Sequence, residues 1–214
     1  MIDITCLSDC HGFLPSDFPG GDILIVAGDL TASDKVREYY YFFDWIEEQK
    51  YTKKIVIAGN HDNVLQNNSV VFRNATFQYL CDSGTEFDGL KIWGSPWTKS
   101  FQGMNPMCKA FCVDTEEELA NKFALIPDDI DILITHSPPF GILDGIPMED
   151  GSEFHAGSTA LRDAIKRIQP RAHFFGHIHE NGSCISLLEN VLYVNASHVD
   201  EKYRPVHEPV MIRL

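Results

Sequence analysis

Short apolar runs separated by turn-forming residues dominate the hydrophobic pattern of this chain. Runs of this kind, rich in β-branched and aromatic residues, are typical of strands buried in an α/β sheet. The clearest are Ile2–Leu7, Ile23–Ala27, Ile55–Ala58, Ile132–Thr135 and His173–Phe175. Each ends at a turn-forming residue or at a residue that can bind a metal ion. The pattern therefore predicts that the chemistry lies where these strands stop.

Three stretches between the runs have the periodicity of helices. Ser33–Gln49 opens with a Ser-Asp pair, which favours a helix start. Its apolar positions at helical spacing are Val36, Tyr40, Phe43 and Ile46. The second stretch, Thr115–Leu125, carries Glu118 three residues after Thr115, as in a capping box. The third, Ser158–Ile168, has one apolar face.

Later segments predict hairpins. Asp88-Gly89 lies between two apolar segments and is a signal for a type I′ turn. Ile185–Leu188 and Val191–Asn195 flank a second short turn, and Val210–Leu214 is a candidate last strand. Because strands alternate with helices early and pair as hairpins later, the pattern predicts mixed α/β layers and not a purely parallel sheet.

Charge and composition narrow the classes of partner. The formal net charge of −14 disfavours a long nucleic acid, because a phosphate backbone needs a basic surface. No apolar run reaches the roughly 18 residues of a membrane span. No basic secretion signal opens the chain, and its six cysteines form no CxxC pair, which favours free thiols in a reducing compartment. We expect a single cytoplasmic domain over residues 1–214, with no membrane partner.

Motifs with metal-binding side chains follow the five runs in turn. They are Asp9-x-His11, Gly28-Asp29, Gly59-Asn60-His61-Asp62, His136-Ser137-Pro138-Pro139 and Gly176-His177-x-His179. Sites in open α/β sheets gather outside the carboxyl ends of the strands, so these motifs are expected to converge. Carboxylate, amide and imidazole donors suit two divalent metal ions, with Mn²⁺ as the first expectation and Fe or Zn²⁺ as alternatives.

Each motif alone also has an ordinary structural explanation. Pairs like Asp9-x-His11 also occur by chance, and most of them are an aspartate in a turn followed by an exposed histidine. His136 alone would be interpreted as a hydrogen-bonded residue at a strand end, and His177-x-His179 as a buried structural pair. The order of all five motifs, each after an apolar run, is what favours a metal site.

The ordered motifs resemble the calcineurin-like metallophosphoesterase superfamily over residues 9–179, and most closely its metallophosphoesterase-domain subgroup. The supporting segments are Gly94–Trp97, Thr135–Pro139, Gly176–Glu180 and Asn195–Ser197. The resemblance implies an α/β fold, a four-layer α/β/β/α sandwich of two mixed sheets flanked by helices. The chain departs from the subgroup at Asp62, where glutamate is frequent, and at Ser137, where glycine is usual.

The resemblance also implies the roles of individual residues. One metal would be held by Asp9, His11, Asp29 and His179, and the other by Asp29, Asn60, His136 and His177. His61 would be the catalytic histidine, and Asp62 is a candidate for orienting it. The hypothesis for the reaction is attack of a metal-activated hydroxide on phosphorus, with His61 protonating the leaving oxygen as general acid.

Substrate contacts are predicted at three places. Asn60 is expected to touch the substrate as well as a metal. His155 precedes a helix whose N-terminus favours a phosphate, although a plain surface histidine is an equal alternative. Trp97 or Phe101 is a candidate for stacking on a nucleobase, with ordinary packing as the alternative.

Three functions fit these features. The favoured one is a phosphodiesterase acting on a small, nucleotide-like ester. The second is a phosphomonoesterase such as a protein phosphatase. Protein phosphatases of the superfamily that the chain resembles carry arginines beside their metals. Arginines that instead lie away from the motifs in this chain are Arg73, Arg162, Arg167 and Arg171. The third is a non-catalytic nucleotide- or metal-binding module, which the complete ligand set and His61 disfavour.

Overall fold

A computed structural model of the chain describes residues 1–70, 72, 75–100 and 108–214. Arg73 and Phe101 lie outside the described residues. The strands are β1 Asp3–Leu7, β2 Gly21–Ala27, β3 Tyr51–Ile57, β4 Gln78–Tyr79, β5 Ser83–Phe87, β6 Leu90–Ser95, β7 Thr98–Lys99, β8 Cys112–Val113, β9 Ile132–Thr135, β10 Gly145–Pro147, β11 Glu153–His155, β12 Ala172–Phe175, β13 Cys184–Leu188, β14 Val191–Asn195 and β15 Val210–Arg213. The α-helices are α1 Val36–Glu48, α2 Asn63–Gln66, α3 Glu116–Phe123 and α4 Thr159–Ile168, and a 3₁₀ turn covers His179–Asn181.

Two mixed sheets form the centre of the described part of the chain. The first has the order β15-β1-β2-β3-β4, in which β15 is antiparallel to β1 and the other pairs are parallel. The second has the order β13-β14-β12-β9-β6-β5, with antiparallel pairs only at its two edges. Each sheet therefore has a parallel centre whose strands end on the same side.

Alternation along the strands decides which layer each side chain enters. In β2, Ile23 and Ile25 join the core between the two sheets, whereas Leu24 and Val26 face α1. On the far side, Leu133 and Phe175 of the second sheet pack against α3 and α4. The result is the helix, sheet, sheet, helix sandwich that the resemblance implies.

The buried face of the first helix matches its periodicity only in part, because Ile46 and Phe43 pack against the core but Val36 and Tyr40 do not. Its buried residues are Tyr39, Phe42 and Ile46, whereas Val36 and Tyr40 are 41% and 48% exposed. It also begins at Val36 and not at the predicted Ser33. The reason is Asp34, because its φ of 52° is not a helical value. Its carboxylate instead accepts hydrogen bonds from Tyr39 Oη and Val64 N.

The other local signals are confirmed. Thr115 accepts from the amide of Glu118, and the Glu118 carboxylate accepts back from Thr115 N, which is the capping box. Ser158 caps α4 by accepting from Leu161 N. Asp88 and Gly89 both have positive φ, as a type I′ turn requires.

Candidate metal centre

Five loops at the carboxyl ends of parallel strands converge at one side of the sandwich. The first sheet brings the loops after β1, β2 and β3, and the second brings the loops after β9 and β12. The side chains that meet there are Asp9, His11, Asp29, Asn60, His61, His136, His177 and His179. The structure thus brings together every side chain named as a ligand, and His61 with them.

Asp29 lies at the middle of the cluster. Its Oδ2 is 3.6 Å from His11 Nε2 and 3.8 Å from His61 Nε2. Its Oδ1 is 3.4 Å from His136 Nε2. A carboxylate with histidines around both oxygens has the geometry to bridge two cations.

The remaining donors flank this centre. Asp9 Oδ1 is 3.2 Å from His179 Nε2, and Asn60 Oδ1 is 2.9 Å from His136 Nε2. The His177 ring lies 4.9 Å from the His136 ring, centroid to centroid. Potential ligand atoms lie within 4.8 Å of one another in three overlapping groups: Asp9, His11 and His179; His11, Asp29 and His61; Asp9, Asp29 and His136.

The residues present fit divalent cations. His11 Nε2 is buried and has no hydrogen-bond partner among the described residues, although it faces the carboxylate of Asp29. A buried polar atom of this kind is uncommon in a folded protein and calls for an ion or water to satisfy it. The surrounding oxygens and imidazole nitrogens are the donors that Mn²⁺, Fe and Zn²⁺ accept.

Backbone carbonyls orient two of the imidazoles. His136 Nδ1 lies 3.0 Å from Ala27 O, and His179 Nδ1 lies 3.1 Å from Asp200 O. An N–H donated to each carbonyl leaves the Nε2 lone pair directed into the cluster. Metal-bound histidines have such partners almost without exception.

Strained backbone also marks these loops. Asp9, His11, Asp29 and His177 all have positive φ, at 52°, 43°, 54° and 70°. Residues with a side chain rarely adopt this region, and such strain concentrates at functional sites. A Cβ on Gly176 would lie 2.0 Å from Asp9 Oδ2, so glycine is needed there for close packing of the loops.

Charge within the metal-free cluster is balanced between carboxylates and imidazoles. Burial would raise the pKa values of Asp9 and Asp29, yet the adjacent histidines lower both below the ordinary range. Burial would lower the pKa of His136, but Asp29 beside it raises that pKa to about 9. Burial lowers the pKa of His177 to about 3. A cation would therefore have to displace a proton from His136 near neutral pH, but not from His177.

Asp62 does not orient His61, which corrects that part of the sequence prediction. Its buried carboxylate accepts from the amides of Asp29, Leu30 and Gly59 and from Tyr39 Oη. It therefore holds the loops after β2 and β3 together beneath the cluster. Burial and the nearby Asp29 charge raise its pKa to about 7. Sequence adjacency to His61 is misleading here because successive loop residues point in different directions.

His61 has a different neighbour, which the sequence does not reveal. Its Nδ1 lies 3.2 Å from Cys108 Sγ, and its Nε2 faces Asp29. Burial raises the pKa of the Cys108 thiol to about 11, so the group stays protonated near neutral pH. Cys108 and His61 are 47 positions apart, and no local pattern connects them.

The predicted phosphate site beside His155 is not formed. His155 lies on the exposed hairpin strand β11 and pairs with Asp144 at 2.8 Å, outside the residues that line the cavity. The N-terminus of α4 is already occupied, because the Glu116 carboxylate accepts from Ser158 Oγ and Ala160 N. A carboxylate of the same chain takes the place predicted for a phosphate.

Trp97 likewise packs within the protein and does not line the cavity. Its Nε1 donates to Asp82 Oδ2 at 2.6 Å, and its ring meets Phe111 edge-on. The ammonium group of Lys122 lies 3.6 Å from its ring centroid. Among the described residues, Tyr203 is an aromatic residue that does reach the metal centre, and no sequence motif singles it out.

A cavity of about 220 Å³ opens onto the cluster. Its walls are formed by metal-centre residues, two lysines, two glutamates and a few apolar side chains. The lining includes Asn60, His61, Lys99, Cys108, Lys109, Ile146, Ile178 and Tyr203. Asn60 lies beside the cluster and also lines this cavity.

Comparison with known proteins agrees with this geometry. A family model described as calcineurin-like phosphoesterase matches residues 2–181. The chain belongs to this family. As a calcineurin-like phosphoesterase, it is a phosphoester hydrolase with candidate groups for divalent metals. None of the helices in the described residues is both long enough and apolar enough to span a lipid bilayer.

Relatives extend over nearly the whole chain. Metallophosphoesterase domain-containing protein 1 of Homo sapiens is 35% identical over 237 residues, covering 98% of this chain and 70% of that protein. The protein of the same description from Mus musculus gives the same figures. These matches confirm the resemblance to the metallophosphoesterase-domain subgroup.

Solved structures confirm the fold. Phosphopantetheinyl hydrolase (PptH) from Mycobacterium tuberculosis superposes with a TM-score of 0.64 at 16% identity, covering 94% of this chain and 90% of that one. TT1561 of Thermus thermophilus has a TM-score of 0.62 at 17% identity, covering 91% and 88%. The layer architecture is therefore shared at low sequence identity.

Proposed function

We propose that this phosphoesterase is a dinuclear-metal phosphodiesterase that acts on a small, nucleotide-like ester. The observation that carries the proposal is the convergence of six further donor side chains around the central carboxylate of Asp29. A cavity of about 220 Å³ over this cluster suits a small molecule better than a polymer. The acidic chain, at a net charge of −14, also disfavours a long nucleic acid.

The donor set divides into two groups that share Asp29. One cation would be held by Asp9, His11, Asp29 and His179, and the other by Asp29, Asn60, His136 and His177. Once bound, the cations would supply Lewis acidity and lower the pKa of water at the site. The mixture of oxygen and imidazole donors favours Mn²⁺, with Fe or Zn²⁺ as alternatives.

His61 is the proton donor in this proposal. It is adjacent to Asp29 without being one of the seven ligands, and its side chain is 19% exposed to the cavity side. The contact between Nδ1 and Cys108 Sγ keeps the ring turned so that Nε2 faces the centre. A proton on Nε2 is then placed to reach the leaving oxygen of an ester bound there.

Two lysines in the cavity wall are the observation that favours a phosphomonoesterase instead. Lys99 and Lys109 line the cavity and could grip a second negative charge on phosphate. Lys99, however, is 3.6 Å from the Glu116 carboxylate, which offsets its charge. Among the described residues, no arginine lines this cavity. The positive charge around this cavity is therefore weaker than a doubly charged phosphate monoester needs, which favours the phosphodiesterase.

Hydrolysis of bis-p-nitrophenyl phosphate and of p-nitrophenyl phosphate in Mn²⁺ separates the candidates. We expect a higher kcat/KM for the diester. A higher value for the monoester would establish the phosphomonoesterase. Bound metal without turnover of either compound would leave the non-catalytic binding module as the function.

Substitution of His61 tests its role. We expect His61→Ala to retain its metal content and to lose about 10²–10⁴-fold in kcat, because a general acid contributes that much. The loss should be greatest for esters with poor leaving groups, which need the proton most. Equal losses for p-nitrophenyl and alkyl esters would remove His61 from this role.

A further inference from the structure

Tyr203 lies over the candidate metal centre, on the segment between β14 and β15. Its ring is edge-on to three imidazoles, with centroid separations of 4.8 Å to His11, 5.4 Å to His179 and 6.3 Å to His61. The residue is nevertheless 41% exposed. It lines both the cavity over the cluster and a neighbouring cavity beside His11 and Phe13. Part of an aromatic ring is thus presented to whatever binds at the centre.

The loop beneath Tyr203 is built around Asp200. The Asp200 carboxylate accepts from the amides of Lys202 and Arg204 and from the Arg204 guanidinium. Its backbone carbonyl accepts from Tyr203 N at 2.8 Å and lies 3.1 Å from His179 Nδ1. The loop is therefore bonded directly to one of the proposed metal ligands, and Tyr203 is positioned relative to that ligand.

Tyr203 also holds a strained backbone conformation. Its φ of 58° lies in the left-handed region, which a bulky residue seldom adopts and glycine would adopt freely. Such strain persists only where the surroundings fix the residue, and it is concentrated at ligand-binding sites. The hydrogen bonds of Asp200 provide that restraint.

The wall of the cavity also includes apolar side chains. Ile146 and Ile178 line it together with Tyr203. Trp97 is not available for the same purpose, since Asp82, Phe111 and Lys122 surround its indole. The organic group of an ester whose phosphate is held at the metal centre would enter a cavity whose walls include Tyr203 and these isoleucines.

We propose that Tyr203 is a specificity-determining residue that stacks on the aromatic group of the substrate, such as a nucleobase. This inference rests on the proposed function and narrows the substrate to phosphoesters whose organic group carries an aromatic ring. One stacking contact of this kind is expected to strengthen binding by roughly tenfold.

The test is a binding comparison between two probes that carry the same phosphate. Calorimetry with the Mn²⁺-loaded protein should show 5′-AMP binding roughly tenfold more tightly than ribose 5-phosphate. Tyr203→Leu should lose this preference, with unchanged affinity for ribose 5-phosphate and unchanged metal content. Tyr203→Phe should keep the preference, because the ring is retained.

Tyr41→Leu is the matched control. Tyr41 is a 66% exposed tyrosine on α1, outside both cavities, and its loss should leave the two affinities as they are. Equal weakening of both probes by Tyr203→Leu would overturn the proposal, since the residue would then support the centre and not the base. Absence of a preference in the unsubstituted protein would overturn it as well. Failure of the proposed function is seen separately, as absence of phosphoester turnover by the unsubstituted protein.

Discussion

The two sheets contribute different chemistry to one site. Loops of the first sheet bring both central carboxylates, Asp9 and Asp29, whereas loops of the second bring only imidazoles. The carboxylates carry the negative charge that would attract cations, and the imidazoles could complete the coordination from the other side. The first half supplies four of the seven candidate donors, and the second half supplies three. The site therefore depends on the packing of the two sheets against each other.

Hydrogen bonds join the two halves at the carboxylates. Asp9 Oδ2 accepts from His177 N and from Ser197 Oγ, both of the second half, at 2.9 Å. Asp29 Oδ1 accepts from His61 N at 2.9 Å within the first half. Asp9 is thus hydrogen-bonded to the second half, whereas Asp29 is hydrogen-bonded within its own half and lies 3.4 Å from His136 Nε2 of the other. We therefore expect a substitution of Asp29 and a substitution that crowds Asp9 to have effects of different size.

The largest effect is expected when the central carboxylate is neutralised. Asp29→Asn should lose both metals, because Asp29 faces ligands of both groups, and kcat/KM should fall by at least ~10³-fold. His177→Asn should lose one metal of the two. Metal content by mass spectrometry and turnover measure this contrast. Retention of one metal by Asp29→Asn would show that the carboxylate does not bridge.

A smaller effect is expected from crowding the contact between the halves. In Gly176→Ala the new Cβ would lie 2.0 Å from Asp9 Oδ2 and 2.1 Å from Ser8 Oγ. Overpacking of this kind lowers the free energy of unfolding by about 1–3 kcal/mol, and metal affinity should fall with it.

Gly151→Ala is the control for that substitution. Gly151 has a φ of 81°, and a methyl group at this position would have no atom within 4 Å, so only backbone strain of about 1 kcal/mol is expected. Denaturant unfolding measures the free energy of unfolding of both variants and tests whether Gly176→Ala loses more than Gly151→Ala. An equal loss in the two would mean that the inter-sheet contact is not the sensitive feature.

The smallest effect concerns a buried histidine on the second sheet. His173 Nε2 lies 2.7 Å from Thr135 Oγ1, and burial lowers the His173 pKa to about 3. Between this pKa and the unfolded value near 6.5, the unfolded chain binds the extra proton. The free energy of unfolding of the metal-free protein should therefore fall as pH falls below about 6.5, by ~1.4 kcal/mol per pH unit for this group.

His173→Phe removes that contribution. Between pH 7 and pH 5 the stability difference between the metal-free protein and the variant should change by about 2 kcal/mol in favour of the variant. Both proteins are measured by denaturant unfolding in the presence of a chelator. A pH-independent difference would mean that His173 has the same pKa in the folded and the unfolded protein.

Local rules predicted much of the fold. The capping box at Thr115, the type I′ turn at Asp88 and the strand Ile132–Thr135 depend on neighbours in sequence, and all are confirmed. The face of α1 was predicted less well, because periodicity alone does not distinguish Tyr39 from Tyr40 before the sheet beneath the helix is known. The extent of one domain over residues 1–214 stays a prediction.

What the sequence alone determined is the set of candidate donors. Asp, Asn and His residues that follow apolar runs imply a metal site, because strands that run in parallel end together. Only the tertiary structure decided the partners of those donors. In the folded chain Asp62 accepts from backbone amides, and Glu116 accepts from the N-terminus of the helix near His155. Cys108 contacts His61, and Tyr203 contacts His11. These contacts join residues far apart in the chain, and their geometry is set by how two sheets pack, which no local pattern contains.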